Sequence, residues 1–215
     1  MLAKFMGWGL LAAIRLLTGA QARWWGCPPK AEQRIYFANH QSHLDLVMIW
    51  AALPQELRSI TRPIAARDYW ATTPLKRWIT TEVFNAIYVE RGGSAAVAAP
   101  VIPGSAEALA PLQPLVEALR SGDSIIIFPE GTRGNTGVPQ KFKSGLFTLA
   151  QMFPEVVLVP AWIDNVQRVM PKGEVVPVPI LCSVTFGAPI RLEQGEERRL
   201  FLDRAREAVM ALRDV

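Results

Sequence analysis

Three apolar runs in this chain each stop at a polar cluster: Arg34-Ile35-Tyr36-Phe37-Ala38 at Asn39, Ala86-Ile87-Tyr88-Val89-Glu90 at Arg91, and Ser124-Ile125-Ile126-Ile127-Phe128 at Pro129. Short β-branched and aromatic runs closed by turn residues are strand signals. Pro63-Ile64-Ala65-Ala66, Val156 to Trp162 and Val178 to Phe186 read as further strands. Helical patterns fall between them, over Leu44 to Leu53, Trp70 to Thr81, Ala106 to Arg120 with Gly122 as its stop, and Ser144 to Phe153. Glu193 to Arg213 closes the chain as a helix, with Glu196 and Glu197 early and Arg213 late, as the macrodipole favours. Strands alternating with helices imply a mostly parallel central sheet covered on both faces, because parallel neighbours need crossover connections. The fold class is therefore α/β. In such a sheet the carboxyl ends of the strands share one edge, so the clusters at 39–45, 91 and 129–135 converge in one crevice.

The 215 residues suit one domain, which divides into an N-terminal helical segment over 1–27 and the α/β domain over 28–215. Half the residues are hydrophobic and a fifth are charged, which excludes a disordered or fibrous chain. The net charge of +4 favours anionic partners, whether phosphate ligands, acidic lipid or nucleic acid. Cys27 and Cys182 have no C-x-x-C spacing and read as reduced thiols in a cytoplasmic setting, not as a zinc site or a disulfide framework. Residues 92–105 are uncharged and rich in Gly, Ala and Pro, a loop that could serve as a lid.

A helix from Phe5 to Leu17 would be about 20 Å long, short of the roughly 30 Å hydrocarbon core. Lys4, Gly7, Arg15 and Thr18 fall on one stripe, Phe5, Trp8, Leu10, Ile14 and Leu17 occupy the rest, and Trp24 and Trp25 follow. That pattern fits an interfacial helix with lipid-facing apolar residues. A helix docked on the protein's own core is the competing expectation.

The first cluster, Asn39-His40-Gln41-Ser42-His43-Leu44-Asp45, contains both histidines of the chain. A contact between His40 and Asp45 requires His40 in the strand-to-helix turn and Asp45 in the first helical turn. Ser42-x-x-Asp45 also fits a capping box, which would make Asp45 an ordinary cap. In the chemical reading Asp45 instead fixes the tautomer of an imidazole base, His40. H-x-x-H-x-D as a metal site lacks a convincing third and fourth ligand, so no metal is expected. No G-x-S-x-G and no G-x-x-x-x-G-K-[ST] occurs. The third cluster sets Gly131, the Thr132 hydroxyl and the Arg133 guanidinium just past a buried strand, with Lys141 and Lys143 following, which suits a phosphate. A surface turn with solvated charges is the alternative.

NHQSHLD resembles the NH-x(4)-D motif of the 1-acyl-sn-glycerol-3-phosphate acyltransferases (lysophosphatidic acid acyltransferases), and FPEGTR followed by Lys-Ser-Gly resembles their second hallmark. Ile87-Tyr88-Val89-Glu90-Arg91 is similar to the family's middle motif, and Val157-Leu158-Val159-Pro160-Ala161 to its apolar fourth block. Four blocks in order carry the resemblance. It implies the glycerolipid acyltransferase fold, an N-terminal element seated in the bilayer, His40 as general base, Asp45 as its orienter, and Arg91, Glu130, Gly131 and Arg133 as binders of the glycerol phosphate. The implied reaction moves an acyl group from acyl-CoA or acyl carrier protein, as co-substrate, to lysophosphatidic acid, making phosphatidic acid in phospholipid biosynthesis. No bound cofactor and no nucleic acid are expected. The implied location is the cytoplasmic face of the inner membrane, peripheral or monotopic. Asn85 stands where the family often has Gly, and Gly134 where Ser commonly follows EGTR. Another lysolipid, such as lyso-ornithine lipid or a lysophospholipid, is the alternative acceptor. A noncatalytic lipid- or phosphate-binding module is the alternative from another class. The uncharged segments 46–54 and 92–105 fit an acyl tunnel or an ordinary core helix and loop equally well.

Overall fold

Strands β1 (Gln21–Trp24), β2 (Arg34–Ala38), β3 (Thr61–Ala66), β4 (Ile87–Val89), β5 (Ser124–Ile127), β6 (Val157–Asp164) and β7 (Ser183–Phe186) form one sheet in the order β1-β7-β6-β2-β5-β3-β4. The computed structural model describes residues 2–19, 21–42, 44–90, 110–134, 137–165 and 181–215. Every pairing is parallel except β6 with β7. The mostly parallel α/β sheet flanked by helices matches the sequence reading.

The central strand β2 shows why the sheet is covered twice. Ile35 and Phe37 point to one core, with Leu115, Leu119, Leu146, Leu149, Phe201 and Val209. Tyr36 and Ala38 point to the other, with Leu46, Ile49, Leu53 and Phe186. Ile35, Tyr36, Phe37 and Ala38 are all fully buried, so a continuous apolar run replaces polar alternation. Helix α2 (Asp45–Ala52) is buried along its whole length, which explains its all-round apolar sequence, and the short α3 (Gln55–Ser59) follows it. The opposite face carries α6 (Gln113–Arg120), α7 (Gly145–Met152) and α8 (Arg198–Met210).

Between β3 and β4 the single helix expected over Trp70 to Thr81 is broken. Short helices α4 (Arg67–Trp70) and α5 (Pro74–Trp78) are followed by a π-helical turn, Ile79–Val83. Pro74 is the cause: it starts α5, with Thr73 capping the Lys76 N–H at 3.2 Å, and it cannot continue a preceding helix. Asn85 follows in the left-handed region at φ 48°. Asn suits this position because it tolerates the left-handed region better than most side chains, second only to Gly.

Helix α1 (Leu2–Thr18) packs Leu11 into the core and sets Gly7 against Val83. Thr18 is buried and donates to the Ile14 carbonyl at 2.7 Å, so Gly7 and Thr18 of the anticipated polar stripe turn inward. Trp8 and Leu16 remain 74% and 85% exposed. Among the described residues no helix is long and apolar enough to cross a membrane. Strand β1 was not anticipated. It pairs with β7, and Trp24 stacks on Phe186 at 4.2 Å instead of standing free beside Trp25. The last helix begins later than expected, and Glu196 precedes it, paired with Arg204 at 2.7 Å. The lid expectation for 92–105, the start of the helix expected from Ala106, and residues 178–180 of the expected last strand lie outside the described residues.

Candidate active site

The chain leaves the carboxyl end of β2 through Asn39, whose side chain continues the ladder after the backbone turns away. Its amide donates to the Ile163 carbonyl at 3.0 Å and its oxygen accepts from the Ile163 N–H at 2.8 Å. His40 is thus delivered from a fixed point. Its backbone N–H donates to Glu130 Oε1 and its carbonyl accepts from the Gly134 N–H, both at 2.8 Å. The imidazole stacks on Phe128 with centroids 4.3 Å apart, and Nδ1 lies 2.9 Å from Asp45 Oδ2.

Asp45 is the first residue of α2, with Leu44 at the N-cap and no side-chain cap bond there, so the Ser42 capping-box reading is not met, whereas the contact with His40 is. Its Oδ2 also accepts from the N–H groups of Gln41 at 2.6 Å and Ser42 at 2.8 Å, while the Ser42 hydroxyl accepts from the Leu44 N–H at 3.2 Å. The N–H groups of the turn leading into α2 therefore hold the carboxylate that orients the imidazole. Asp45 is 1% exposed, and its charge is met by these N–H groups. With Nδ1 turned to Asp45, Nε2 is the nitrogen left for a reacting group.

The turn after β5 supplies the second half. Gly131 has φ 67°, and a Cβ there would stand 2.7 Å from Lys143 Nζ, so glycine serves both the backbone and the passage of the lysine. Lys143 is tied back by its N–H to the Pro129 carbonyl at 2.8 Å. His40, Gly131, Thr132, Arg133 and Lys143 all line one cavity of about 270 Å³. Lys141 is exposed and outside that wall. Glu130 is buried behind it, its oxygens taken by the His40 and Gln140 N–H groups. Burial pushes the Glu130 carboxyl up, an effect opposed by those two N–H bonds. A Cβ at Gly134 would stand 3.3 Å from Glu130 Oε2, which puts a serine hydroxyl there within reach of the carboxylate. Arg91 and His43 lie outside the described residues.

Beyond this polar mouth the cavity is apolar except for Glu90, with Ile64 and Ala66 from β3, Trp70, Val89 from β4, Leu112, Leu115, Ile127 and Leu149. Of the segment 46–54, Leu46 reaches the cavity and Val47 to Leu53 are core. Phe128 and Asn39 lie inside the motifs FPEGTR and NH-x(4)-D, but no role for either follows from the sequence. The neighbouring motif residues were the available signal for both: Phe128 precedes PEGTR and Asn39 precedes His40.

A central sheet with a His–Asp pair and a turn presenting Arg133 and Lys143 at one strand edge defines a class of protein, and comparison with known proteins gives its family. Residues 28–164 match the Acyltransferase family model, and the chain belongs to that family. It is 28% identical over 149 residues to 1-acyl-sn-glycerol-3-phosphate acyltransferase alpha of Mus musculus, covering 68% of this chain and 45% of the relative. With the protein of the same name from Ovis aries it shares 26% identity over 189 residues, 86% of this chain and 59% of the relative. The chain thus spans about half the length of these curated relatives. The crystal structure of the 1-acyl-sn-glycerophosphate (LPA) acyltransferase PlsC from Thermotoga maritima superimposes with a TM-score of 0.67 at 20% identity, over 99% of this chain and 80% of that one. That likeness establishes a common fold.

Proposed function

We propose that the chain is an O-acyltransferase that moves a fatty acyl group from an acyl thioester to the sn-2 hydroxyl of 1-acyl-sn-glycerol-3-phosphate, making phosphatidic acid. The observation that carries this reading is the His40–Asp45 pair at the mouth of an apolar cavity that also presents Arg133 and Lys143. An anionic headgroup and an acyl chain need both surfaces in one site. The names of the relatives above support the same acceptor.

In this mechanism Asp45 keeps the proton on Nδ1, and His40 Nε2 takes the proton of the acceptor hydroxyl as its oxygen attacks the thioester carbonyl. The tetrahedral oxyanion collapses, the C–S bond breaks, and the thiolate of CoA or acyl carrier protein leaves and is protonated by the imidazolium. A thioester is already activated, so a base and positioning supply much of the acceleration without a covalent acyl-enzyme. Arg133 and Lys143 hold the phosphate, Arg by its planar fork and Lys as a point charge, and Thr132 offers a hydroxyl beside them.

The exposed Trp8 and Leu16 of α1, with Leu181 against Gly19 at the end of that helix, support seating on a lipid surface. In this reading the enzyme is peripheral or monotopic at the cytoplasmic face of the inner membrane, where its lipid acceptor resides. Sedimentation with anionic vesicles should weaken in Trp8→Glu/Leu16→Glu, and unchanged sedimentation would remove α1 from the lipid contact.

The function is tested by incubating the chain with an acyl thioester and a panel of lysolipids and identifying products by mass. Phosphatidic acid as the principal product is expected. Acylation of lysophosphatidylcholine or lyso-ornithine lipid instead would move the acceptor assignment, and binding without any transfer would leave a lipid-binding module.

A further inference from the structure

Glu130 belongs to the motif from which headgroup binders are expected, yet its carboxylate faces the wrong way to bind one. It is 2% exposed and forms no part of the cavity wall. Its two oxygens are each engaged at 2.8 Å by a backbone N–H, Oε1 by His40 and Oε2 by Gln140. A carboxylate turned toward a phosphate would repel it, whereas here its charge is absorbed by amide donors. The same turn grips His40 a second time, through the Gly134 N–H on the His40 carbonyl, and Phe128, two residues before Glu130, stacks on the imidazole.

We propose that Glu130 is a positioning residue for His40 and not a ligand of the acceptor headgroup. One carboxylate joins the turn after β2, the turn after β5 and the segment leading to Lys143, so the base and the phosphate-binding cation share one rigid frame. The backbone of His40 is held at its N–H and its carbonyl, which leaves the ring little freedom except toward the cavity. Catalytic constellations lose effectiveness when displaced by even about 1 Å, on the order of 10²-fold in rate. The inference rests on the reading of His40 as the base.

Glu130→Gln is the decisive variant. A carboxamide has one oxygen for the two N–H groups, so its NH2 must confront either His40 or Gln140 donor to donor. The expected result is a fall in kcat of roughly 10²-fold with the KM for lysophosphatidic acid within about threefold of wild type. Arg133→Ala, run beside it, should do the reverse and raise KM. A Glu130→Gln enzyme that keeps its kcat and loses acceptor affinity would overturn the proposal.

Two further readings do not depend on turnover, and the first needs no variant at all. In the wild type, the His40 and Gln140 amide protons should exchange slowly, and fast exchange at His40 would overturn the seat. The chain has two histidines, so His43→Gln isolates the His40 imidazole signals, which Glu130→Gln should shift and Arg133→Ala should leave in place. Should wild type transfer no acyl group to any acceptor, the acyltransferase reading falls. The amide exchange and imidazole signals then decide the positioning role alone.

Discussion

Replacing Asp45 by Asn perturbs one oxygen that serves two purposes. Oδ2 accepts three hydrogen bonds, from His40 Nδ1 and the Gln41 and Ser42 N–H groups, at 2.9, 2.6 and 2.8 Å. A hydrogen bond to a charged group contributes about 1.5–3 kcal/mol and a neutral one about 0.5–1.5, so each bond weakens by about 1 kcal/mol. If the Asn oxygen takes the place of Oδ2, its NH2 takes the place of Oδ1, which is buried without a hydrogen-bond partner, and becomes a buried unpaired donor. One unpaired buried group thus replaces another, so the three weakened bonds dominate: the expected loss of stability is about 2–4 kcal/mol, within the roughly 5–15 kcal/mol of a typical domain, and the variant still folds. The rate should suffer more. Without the carboxylate the imidazolium formed in the transition state is unsupported, and the same exchange in a serine-protease triad lowers kcat by about 10⁴. We expect Asp45→Asn to lose about 10²–10⁴ in kcat. Urea unfolding gives the first number and thiol release from an acyl thioester the second. A variant destabilised as predicted but within tenfold of wild-type kcat would show that Asp45 braces the turn and nothing more.

Arg133→Ala should raise the KM for lysophosphatidic acid by about tenfold or more, the loss of a charge-assisted contact, while Lys141→Ala, outside the cavity, should change it less than twofold. An equal effect of the two would mean that the headgroup is drawn by general charge. Glu196 tests the pH dependence of the last helix: its hydrogen bonds from Arg204, chiefly, hold its carboxyl below the usual range. A depressed carboxyl stabilises the fold above its unfolded pKa, and this contribution disappears as pH falls through the folded value. Glu196→Gln should therefore cost up to about 1 kcal/mol at neutral pH in urea unfolding and nothing at strongly acid pH. A deficit that persists in acid would refute the assignment.

Much of the architecture was legible because the parallel strands are buried on both faces. Arg34-Ile35-Tyr36-Phe37-Ala38 and Ser124-Ile125-Ile126-Ile127 read as strands from their β-branched and aromatic content, and so they fold. β1 was invisible for the opposite reason: Gln21-Ala22-Arg23-Trp24 is an exposed edge whose sole apolar anchor, Trp24, finds Phe186 far along the chain. Periodicity over 70–81 favoured one helix because it outweighed Pro74, although proline ends a helix regardless of what surrounds it. At the site, motif spacing placed His40, Asp45 and the residues after β5 at one edge. Which way Glu130 points is a different kind of fact. It depends on backbone N–H groups of His40 and Gln140, and no residue letter encodes them.

The same physical limit applies to Asp45. From sequence, a cap and an orienting carboxylate were competing descriptions, because each accounts for the spacing from Ser42 and His40. The structure starts α2 at Asp45 itself, with no side-chain cap at Leu44, and bends the preceding turn back so that Gln41, Ser42 and His40 all reach the same oxygen.

The central claim is that His40 is the base of an acyl transfer. It is tested most directly by measuring thiol release from an acyl thioester, with and without lysophosphatidic acid, for wild type and His40→Ala. The account predicts acceptor-dependent release in the wild type that falls by at least 10³-fold in the folded variant. Acceptor-dependent release that survives in His40→Ala would contradict it.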